Sequence, residues 1–103
     1  MTQSPSPLPA TVLRETITIV NARGLHARAS AKFVNAVAQL PEGLDIKLAK
    51  DGTEAAGGSI LGLMMLGAAR GDTVDLIVCG EDGEAQAALL KLSGLVKDGF
   101  GED

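Results

Sequence analysis

The sequence of 103 residues predicts an α+β domain with three helices on one face of a four-stranded antiparallel sheet. Segments with the alternating pattern of strands occur four times, and segments with helical spacing of apolar residues occur three times. Their chain order is βαββαβα. With 46% hydrophobic residues the chain can bury one modest core, so we expect one domain.

The first strand and the first helix are predicted from a change in the spacing of apolar residues along the chain. Residues 14–20, RETITIV, alternate as a half-buried strand does, with Ile17 and Ile19 on one side. After the NARG turn, residues 25–40 have the pattern of an amphipathic helix that ends before Pro41. Its predicted apolar face consists of Ala27, Ala31, Phe33, Val34, Val37 and Ala38.

The middle of the chain predicts a hairpin followed by a short helix. Residues 44–50 alternate, and the Asp-Gly pair after them is a strong hairpin signal, so residues 53–58 form the third strand. Ser59 precedes the apolar run ILGLMMLG, and serine is a favoured N-cap residue. We therefore expect a short helix that begins directly after Ser59.

The last third of the chain predicts a strand and a long helix. Residues 73–80, TVDLIVCG, alternate, and a helix starts at Asp82 with an acidic first turn that suits the helix dipole. Residues 97–103 are expected to fray, with Phe100 covering the edge of the core. The predicted buried stripe of the helix consists of Ala85, Ala88, Leu89, Leu92 and either Leu95 or Val96.

Composition excludes several classes of function. A formal charge of −4 and the lack of Trp and Tyr argue against binding to nucleic acid or to an anionic membrane. The single cysteine, Cys79, lies in an apolar run, which predicts a reduced, buried thiol and a cytoplasmic protein. Residues 1–13 are predicted to be a disordered leader, neither a signal peptide nor a membrane span, and residues 14–103 the folded domain.

The stretch GLHARAS contains the only histidine, His26, and is the main candidate for chemistry. The glycine turn places His26 near the N-cap of the first helix, where free backbone N–H groups and the helix dipole attract a phosphoryl group. Arg28 can add charged hydrogen bonds from the same turn. His26 is thus a candidate phosphoryl acceptor with Arg28 as its support, and an inert structural histidine is the alternative.

Other chemistries lack the residues that they need. One histidine without further ligands at suitable spacing makes a poor metal site. Neither Ser30 nor Ser59 lies in a nucleophile-elbow or triad pattern, and neither GxGxxG nor a Walker A motif is present. We therefore expect no metal and no bound cofactor.

Two segments carry a resemblance to a known family. NARGLHARASAKFV resembles the active-site segment of the HPr family, the phosphocarrier proteins of the bacterial phosphoenolpyruvate-dependent phosphotransferase system. DGTEAAGGSILGLMMLGAARGD resembles the segment around the regulatory serine of that family, which corresponds to Ser59. The resemblance covers roughly Arg14 to the C-terminus and implies an HPr-like open-faced sandwich. The segments GTEA, SILGLMML and GFGED are most similar to the nitrogen-related NPr branch.

The resemblance implies a phosphocarrier that is not itself an enzyme. His26 would accept a phosphoryl group on Nδ1 from phosphorylated Enzyme I, ultimately from phosphoenolpyruvate, and Arg28 would steady it. The acceptor would be an Enzyme IIA, of the nitrogen-regulatory type in this branch. Ser59 would be modified by an HPr kinase/phosphorylase where one is present. A cytoplasmic monomer is expected.

Several points stay open at the level of sequence. Many members of the family have proline where this chain has Ala29, and many have asparagine where it has Arg23. The Arg23 side chain either adds positive charge beside the phosphate or points to solvent. Ser59 can act as a helix cap with or without modification. The alternative function is a regulatory binding module that is switched by phosphorylation of Ser59 or His26. Of Leu61, Met64, Met65 and Leu66, one or two are expected to stay exposed.

Overall fold

The four strands and three helices follow the predicted order along the chain. The computed structural model describes residues 10–102. The elements are β1 (Thr11–Thr18), α1 (Ala27–Ala38), β2 (Asp45–Lys50), β3 (Thr53–Ala56), α2 (Ile60–Met65), β4 (Thr73–Gly80) and α3 (Asp82–Lys97). All strand pairs are antiparallel, in the order β1-β4-β2-β3. The predicted α+β fold and element order are confirmed.

The first strand begins earlier than predicted. β1 starts at Thr11, which pairs with Gly80, and ends at Thr18, which pairs with Thr73. Residues 11–13, predicted to belong to the leader, are therefore part of the sheet, because β4 has a pairing partner along its whole length. The rest of the predicted leader, residues 1–9, lies outside the described residues.

The sheet has one apolar face and one polar face. Alternate residues of β2 and β4 are buried under the helices, namely Ile46, Leu48, Val74, Leu76 and Val78. On the other face Arg14 Nη1 donates a hydrogen bond to Asp75 at 2.8 Å, and Thr16 Oγ1 donates one to the same carboxylate at 2.7 Å. This arrangement is the open-faced sandwich that the resemblance implies.

Cys79 is only half-buried, so the predicted burial of its thiol is wrong. The alternation of β4 buries Val78 under the helices and directs its neighbour Cys79 to the polar face of the sheet. There it pairs with Val12 of β1 and Asp45 of β2, which are both exposed.

The predicted apolar face of α1 is confirmed in part, because Phe33 is buried and Val34 and Val37 are partly buried against the core. Its buried residues are Ala29, Ser30 and Phe33, whereas Ala27 and Ala38 are exposed. Alanine side chains are small, so their spacing contributes little to the choice of face. The large Phe33 ring is fully buried and determines the orientation. In contrast, the predicted stripe of α3 is confirmed at Ala85, Ala88, Leu92 and Val96.

The C-terminal segment is packed against the domain up to Glu102, so the predicted fraying is wrong there. Residues Gly99–Gly101 form a 3-10 turn, and Phe100 is 1% exposed, which confirms that it covers the core. Gly99, Phe100 and Gly101 all have left-handed backbones, with φ of 65°, 59° and 72°. Lys32 Nζ of α1 donates a hydrogen bond to the Phe100 carbonyl at 2.8 Å. The turn thus brings Glu102 towards the start of α1.

Among residues 10–102, no helix is long and apolar enough to cross a membrane. The same part of the chain contains no group of three or more His, Cys, Asp or Glu side chains that could hold a metal ion.

Candidate functional site

The turn before α1 requires glycine at residue 24. Gly24 has φ of 60°, and a Cβ atom at this position would collide with the carbonyl oxygen of Ala68. That oxygen accepts a hydrogen bond from Leu25 N–H at 3.0 Å, and the Leu25 side chain is buried. The turn is therefore fixed against the segment after α2, and His26 follows it as the first residue of the helix entry.

His26 is the N-cap of α1, which confirms its predicted position. It has an extended backbone, and its Nδ1 accepts a hydrogen bond from the backbone N–H of Arg28 at 3.2 Å. Its carbonyl oxygen accepts the first helical hydrogen bond, from Ser30 N–H, at 2.9 Å. A neutral imidazole nitrogen thus takes the role that a serine or aspartate oxygen has at most helix starts.

The other ring nitrogen of His26 contacts a carboxylate from the C-terminal turn. Nε2 lies 3.0 and 2.9 Å from the two carboxylate oxygens of Glu102. The pKa of Glu102 is lowered from its usual value, mainly by the hydrogen bond from His26. Because Nδ1 accepts a hydrogen bond and Nε2 faces an acceptor, the neutral ring carries its proton on Nε2. The lone pair is then on Nδ1.

Asn21 links the glycine turn to Glu102. Its Nδ2 donates one hydrogen bond to the Gly24 carbonyl at 2.8 Å and one to Glu102 Oε1 at 3.0 Å. Asn21 is 2% exposed, so both contacts are shielded from solvent. The amide thereby fixes the carboxylate relative to the turn that positions the histidine.

A shallow cleft of about 380 Å³ lies beside His26. It has three basic side chains against one acid, a charge balance that favours an anionic group. Both side chains of the His26–Glu102 pair line the cleft and are 16% and 17% exposed. The lining residues are Ala22, Arg23, His26, Arg28, Lys32, Gly101 and Glu102.

The two positions that depart from the family pattern both lie at this site. Arg23 is exposed and lines the cleft, so its charge is beside the candidate phosphate position. Ala29 is buried in the first turn of α1 and has a backbone N–H, which a proline would lack.

Ser59 is the N-cap of α2, as predicted. Its Oγ accepts a hydrogen bond from Gly62 N–H at 2.9 Å, and its backbone is extended. The side chain is partly buried. Modification of Ser59 remains a prediction.

Helix α2 exposes more apolar surface than predicted. The helix is short and has a single buried row, formed by Leu63 and Leu66. All other large side chains of α2 are therefore exposed, and we call them the α2 patch: Ile60, Leu61, Met64 and Met65, with exposed fractions of 41%, 67%, 40% and 76%. Three of the four residues considered in the sequence are exposed, not one or two.

Sequence reasoning missed two residues of the site, Asn21 and Glu102. The His26–Glu102 contact spans 76 residues, and no local pattern predicts it. The only available signal is the Gly-Phe-Gly segment before Glu102, which combines two glycines suited to a left-handed turn with an apolar anchor. The short, polar C-terminal segment by itself instead predicts a frayed end.

The fold described above is found in a family of phosphoryl carriers. Residues 13–98 match the family model described as PTS HPr component phosphorylation site, and the chain belongs to this HPr family of phosphocarriers. It is 41% identical over 91 residues to phosphocarrier protein HPr of Neisseria meningitidis. The aligned region covers 88% of this chain and 98% of that protein. It is 36% identical over 92 residues to phosphocarrier protein NPr of Shewanella violacea. Here the aligned region covers 89% of this chain and 97% of that protein.

A solved structure has the same fold. HPr-C-His from Thermoanaerobacter tengcongensis superposes with a TM-score of 0.73 at 37% identity and covers 88% of this chain and 98% of that chain. Relatives named HPr and relatives named NPr are thus both similar to this protein.

Proposed function

We propose that the protein accepts a phosphoryl group on Nδ1 of His26 from phosphorylated Enzyme I and passes it to an Enzyme IIA. One observation carries the proposal: the Nδ1 lone pair of a neutral ring lies at the N-terminus of α1, in a cleft with excess positive charge. The family match supports the same assignment. We propose that the protein acts as a cytoplasmic monomer.

The transfer step uses groups that are already at the helix start. As Nδ1 bonds to phosphorus, the Arg28 N–H that donates to Nδ1 becomes available to a phosphoryl oxygen. The Arg28 guanidinium, which lines the cleft, adds a second charged donor. The positive end of the α1 dipole stabilises the transferred dianion further. The protein thus supplies a nucleophile and an anion site, while Enzyme I supplies the catalysis.

Enzyme I and Enzyme IIA need a docking surface next to the phosphoryl acceptor. We propose that the α2 patch forms part of it, because α2 packs beside α1 and exposes flexible methionines that adapt to more than one partner. The basic side chains of the cleft add local attraction for acidic partners despite the net charge of −4.

The proposal is tested with Mg²⁺, Enzyme I and phosphoenolpyruvate that carries the radiolabel in its phosphoryl group. Wild type is expected to acquire acid-labile label that passes to added Enzyme IIA, and His26→Ala to acquire none. Ser59→Ala is the matched control, because it changes a different candidate site and leaves the acceptor in place. If wild type stays unlabelled while the same Enzyme I labels another phosphocarrier, the proposal is wrong.

For the downstream acceptor we propose the nitrogen-regulatory Enzyme IIA, on the basis of the segments GTEA, SILGLMML and GFGED. Relatives named NPr support this branch, whereas the HPr of Neisseria meningitidis is similar at a higher identity, 41% against 36% for the NPr of Shewanella violacea. Competition between a nitrogen-regulatory and a sugar-specific Enzyme IIA for the labelled protein distinguishes the branches. Faster discharge by the sugar-specific acceptor would reject the nitrogen assignment.

The second candidate function is a binding module that phosphorylation of Ser59 switches. The cap position of Ser59 favours it, because a phosphate there would lie at a helix start, next to the α2 patch, and so affect docking more than folding. An HPr kinase/phosphorylase with ATP tests modification at Ser59. If the kinase labels another HPr that is a known substrate but does not label wild type, modification of Ser59 by this kinase is excluded.

A further inference from the structure

The position of Glu102 depends on two separate anchors. From one side, Asn21 Nδ2 donates to Glu102 Oε1 at 3.0 Å. From the other, the buried Phe100 ring and the hydrogen bond from Lys32 to the Phe100 carbonyl hold the turn that precedes Glu102. The carboxylate is therefore held against His26 Nε2 by contacts beyond its own attraction to the ring.

We propose that Glu102 is a positioning residue for phosphoryl transfer: its carboxylate fixes the Nε2–H tautomer of His26 and stabilises the positive charge that the ring acquires on phosphorylation. This inference rests on the proposed function. A ring with its proton on Nδ1 has no lone pair there and cannot attack phosphorus. A carboxylate that accepts from Nε2–H at 2.9 Å selects the reactive form before the donor arrives.

The transfer step balances with the groups present. The Nδ1 lone pair forms the bond to phosphorus, the bond from phosphorus to the donor atom breaks, and that atom leaves with the electron pair. Nε2 keeps its proton throughout, so the ring changes from neutral to singly positive. The hydrogen bond to Glu102 thereby becomes an ion pair during the step. Because it is stronger in the transition state than before it, it lowers the barrier.

The carboxylate also repels the incoming phosphoryl group, and the geometry decides which effect is larger. Glu102 contacts Nε2, whereas the phosphoryl group binds at Nδ1 on the other side of the ring. Coulomb energy falls with distance, but the phosphoryl group carries two negative charges against one positive charge on the ring, so distance alone leaves the repulsion and the attraction of similar size. Arg23, Arg28 and Lys32 line the same cleft and offset the repulsion. The net effect of Glu102 is therefore to favour transfer.

The test compares Glu102→Gln and Glu102→Asp with wild type in the initial rate of labelling by Enzyme I. Glutamine keeps an acceptor and the shape but removes the charge, so we expect transfer to slow about three- to tenfold, the loss of one charge-assisted contact. Aspartate keeps the charge on a shorter side chain and is expected to give an intermediate rate. Glu42→Gln is the matched control, because it removes the same charge from an exposed residue outside the cleft.

Two outcomes would overturn the inference while the proposed function stands. One is a labelled wild type with a Glu102→Gln rate equal to that of Glu42→Gln. The other is an aspartate variant no faster than the glutamine variant, because charge would then not be the active property. If wild type is not labelled at all, the proposed function has failed instead.

Nitrogen NMR of the His26 ring tests the tautomer in the unphosphorylated protein, independently of transfer. We expect the neutral ring of wild type to carry its proton on Nε2, and Glu102→Ala, in which only the hydrogen bond from Arg28 N–H to Nδ1 still favours this tautomer, to show a larger share of the Nδ1–H form. A purely structural role of Glu102 would leave this spectrum unchanged. Wild type with its proton predominantly on Nδ1 would overturn the inference without any variant.

Discussion

At the scale of single residues, the site combines the proposed nucleophile with donors that come from its own helix turn. His26 caps α1 through Nδ1, so the atom that accepts the helix N–H is also the atom that we expect to accept phosphate. Capping and phosphorylation are therefore alternative uses of one lone pair. The unmodified ring is held in the orientation that the transfer step needs.

Arg28 allows a test of the charge at this site. We expect Arg28→Ala to slow labelling by Enzyme I about tenfold, because a charged donor to a phosphate contributes roughly 1.5–3 kcal/mol and the exposed side chain lies at the low end. Arg28→Lys should recover part of the rate. Arg70→Ala, which removes an exposed arginine outside the cleft, is the control. Equal rates for Arg28→Ala and Arg70→Ala would contradict the role of Arg28.

At the scale of elements, the glycine turn before α1 determines where the histidine lies. Gly24 needs a left-handed backbone and also has no room for a side chain, whereas Gly43 has φ of 92° and open space around it. The two glycines therefore separate the cost of backbone strain from the cost of a collision.

We expect Gly24→Ala to reduce the free energy of unfolding clearly more than Gly43→Ala does. Left-handed strain alone costs on the order of 1 kcal/mol, and the contact with the Ala68 carbonyl adds to it in only one of the two variants. Urea unfolding measures both. Similar losses in the two variants would mean that the turn moves freely away from Ala68.

At the scale of the whole molecule, one ion pair links the last helix to the first strand. Lys97 Nζ lies 2.6 Å from Glu15 Oε2, and this hydrogen bond is the main cause that lowers the pKa of Glu15. A carboxyl with a lowered pKa in the folded state adds stability above its unfolded pKa and loses it as pH falls through the folded pKa. The contribution is small, because the Lys97 side chain is 59% exposed.

We therefore expect Lys97→Met to lower the free energy of unfolding by less than about 1 kcal/mol at neutral pH. The difference from wild type should shrink below the usual pKa of a glutamate and disappear below the lowered pKa of Glu15. Urea unfolding across this pH range measures it. Lys91→Met on the same helix is the control, since Lys91 forms no ion pair within residues 10–102. A difference that does not depend on pH would contradict the assignment.

The sequence predicts the element order well because the apolar period changes sharply between strands and helices. It predicts the place of His26 for a local reason, a glycine turn directly before a helix. It fails in part for the face of α1, because Ala27 and Ala38 fit the helical spacing but are exposed, and side chains this small contribute little to the packing. It fails for Glu102, whose partner is 76 residues away and whose position depends on three consecutive left-handed residues.

The C-terminal turn has a practical consequence for work with this protein. Glu102 contacts the ring of His26. A polyhistidine affinity tag fused close behind Glu102 would lie near the His26 imidazole and add many competing imidazoles there. Affinity tags should therefore be placed at the N-terminus. If a C-terminally tagged sample accepts phosphate slowly, the tag is the first cause to test.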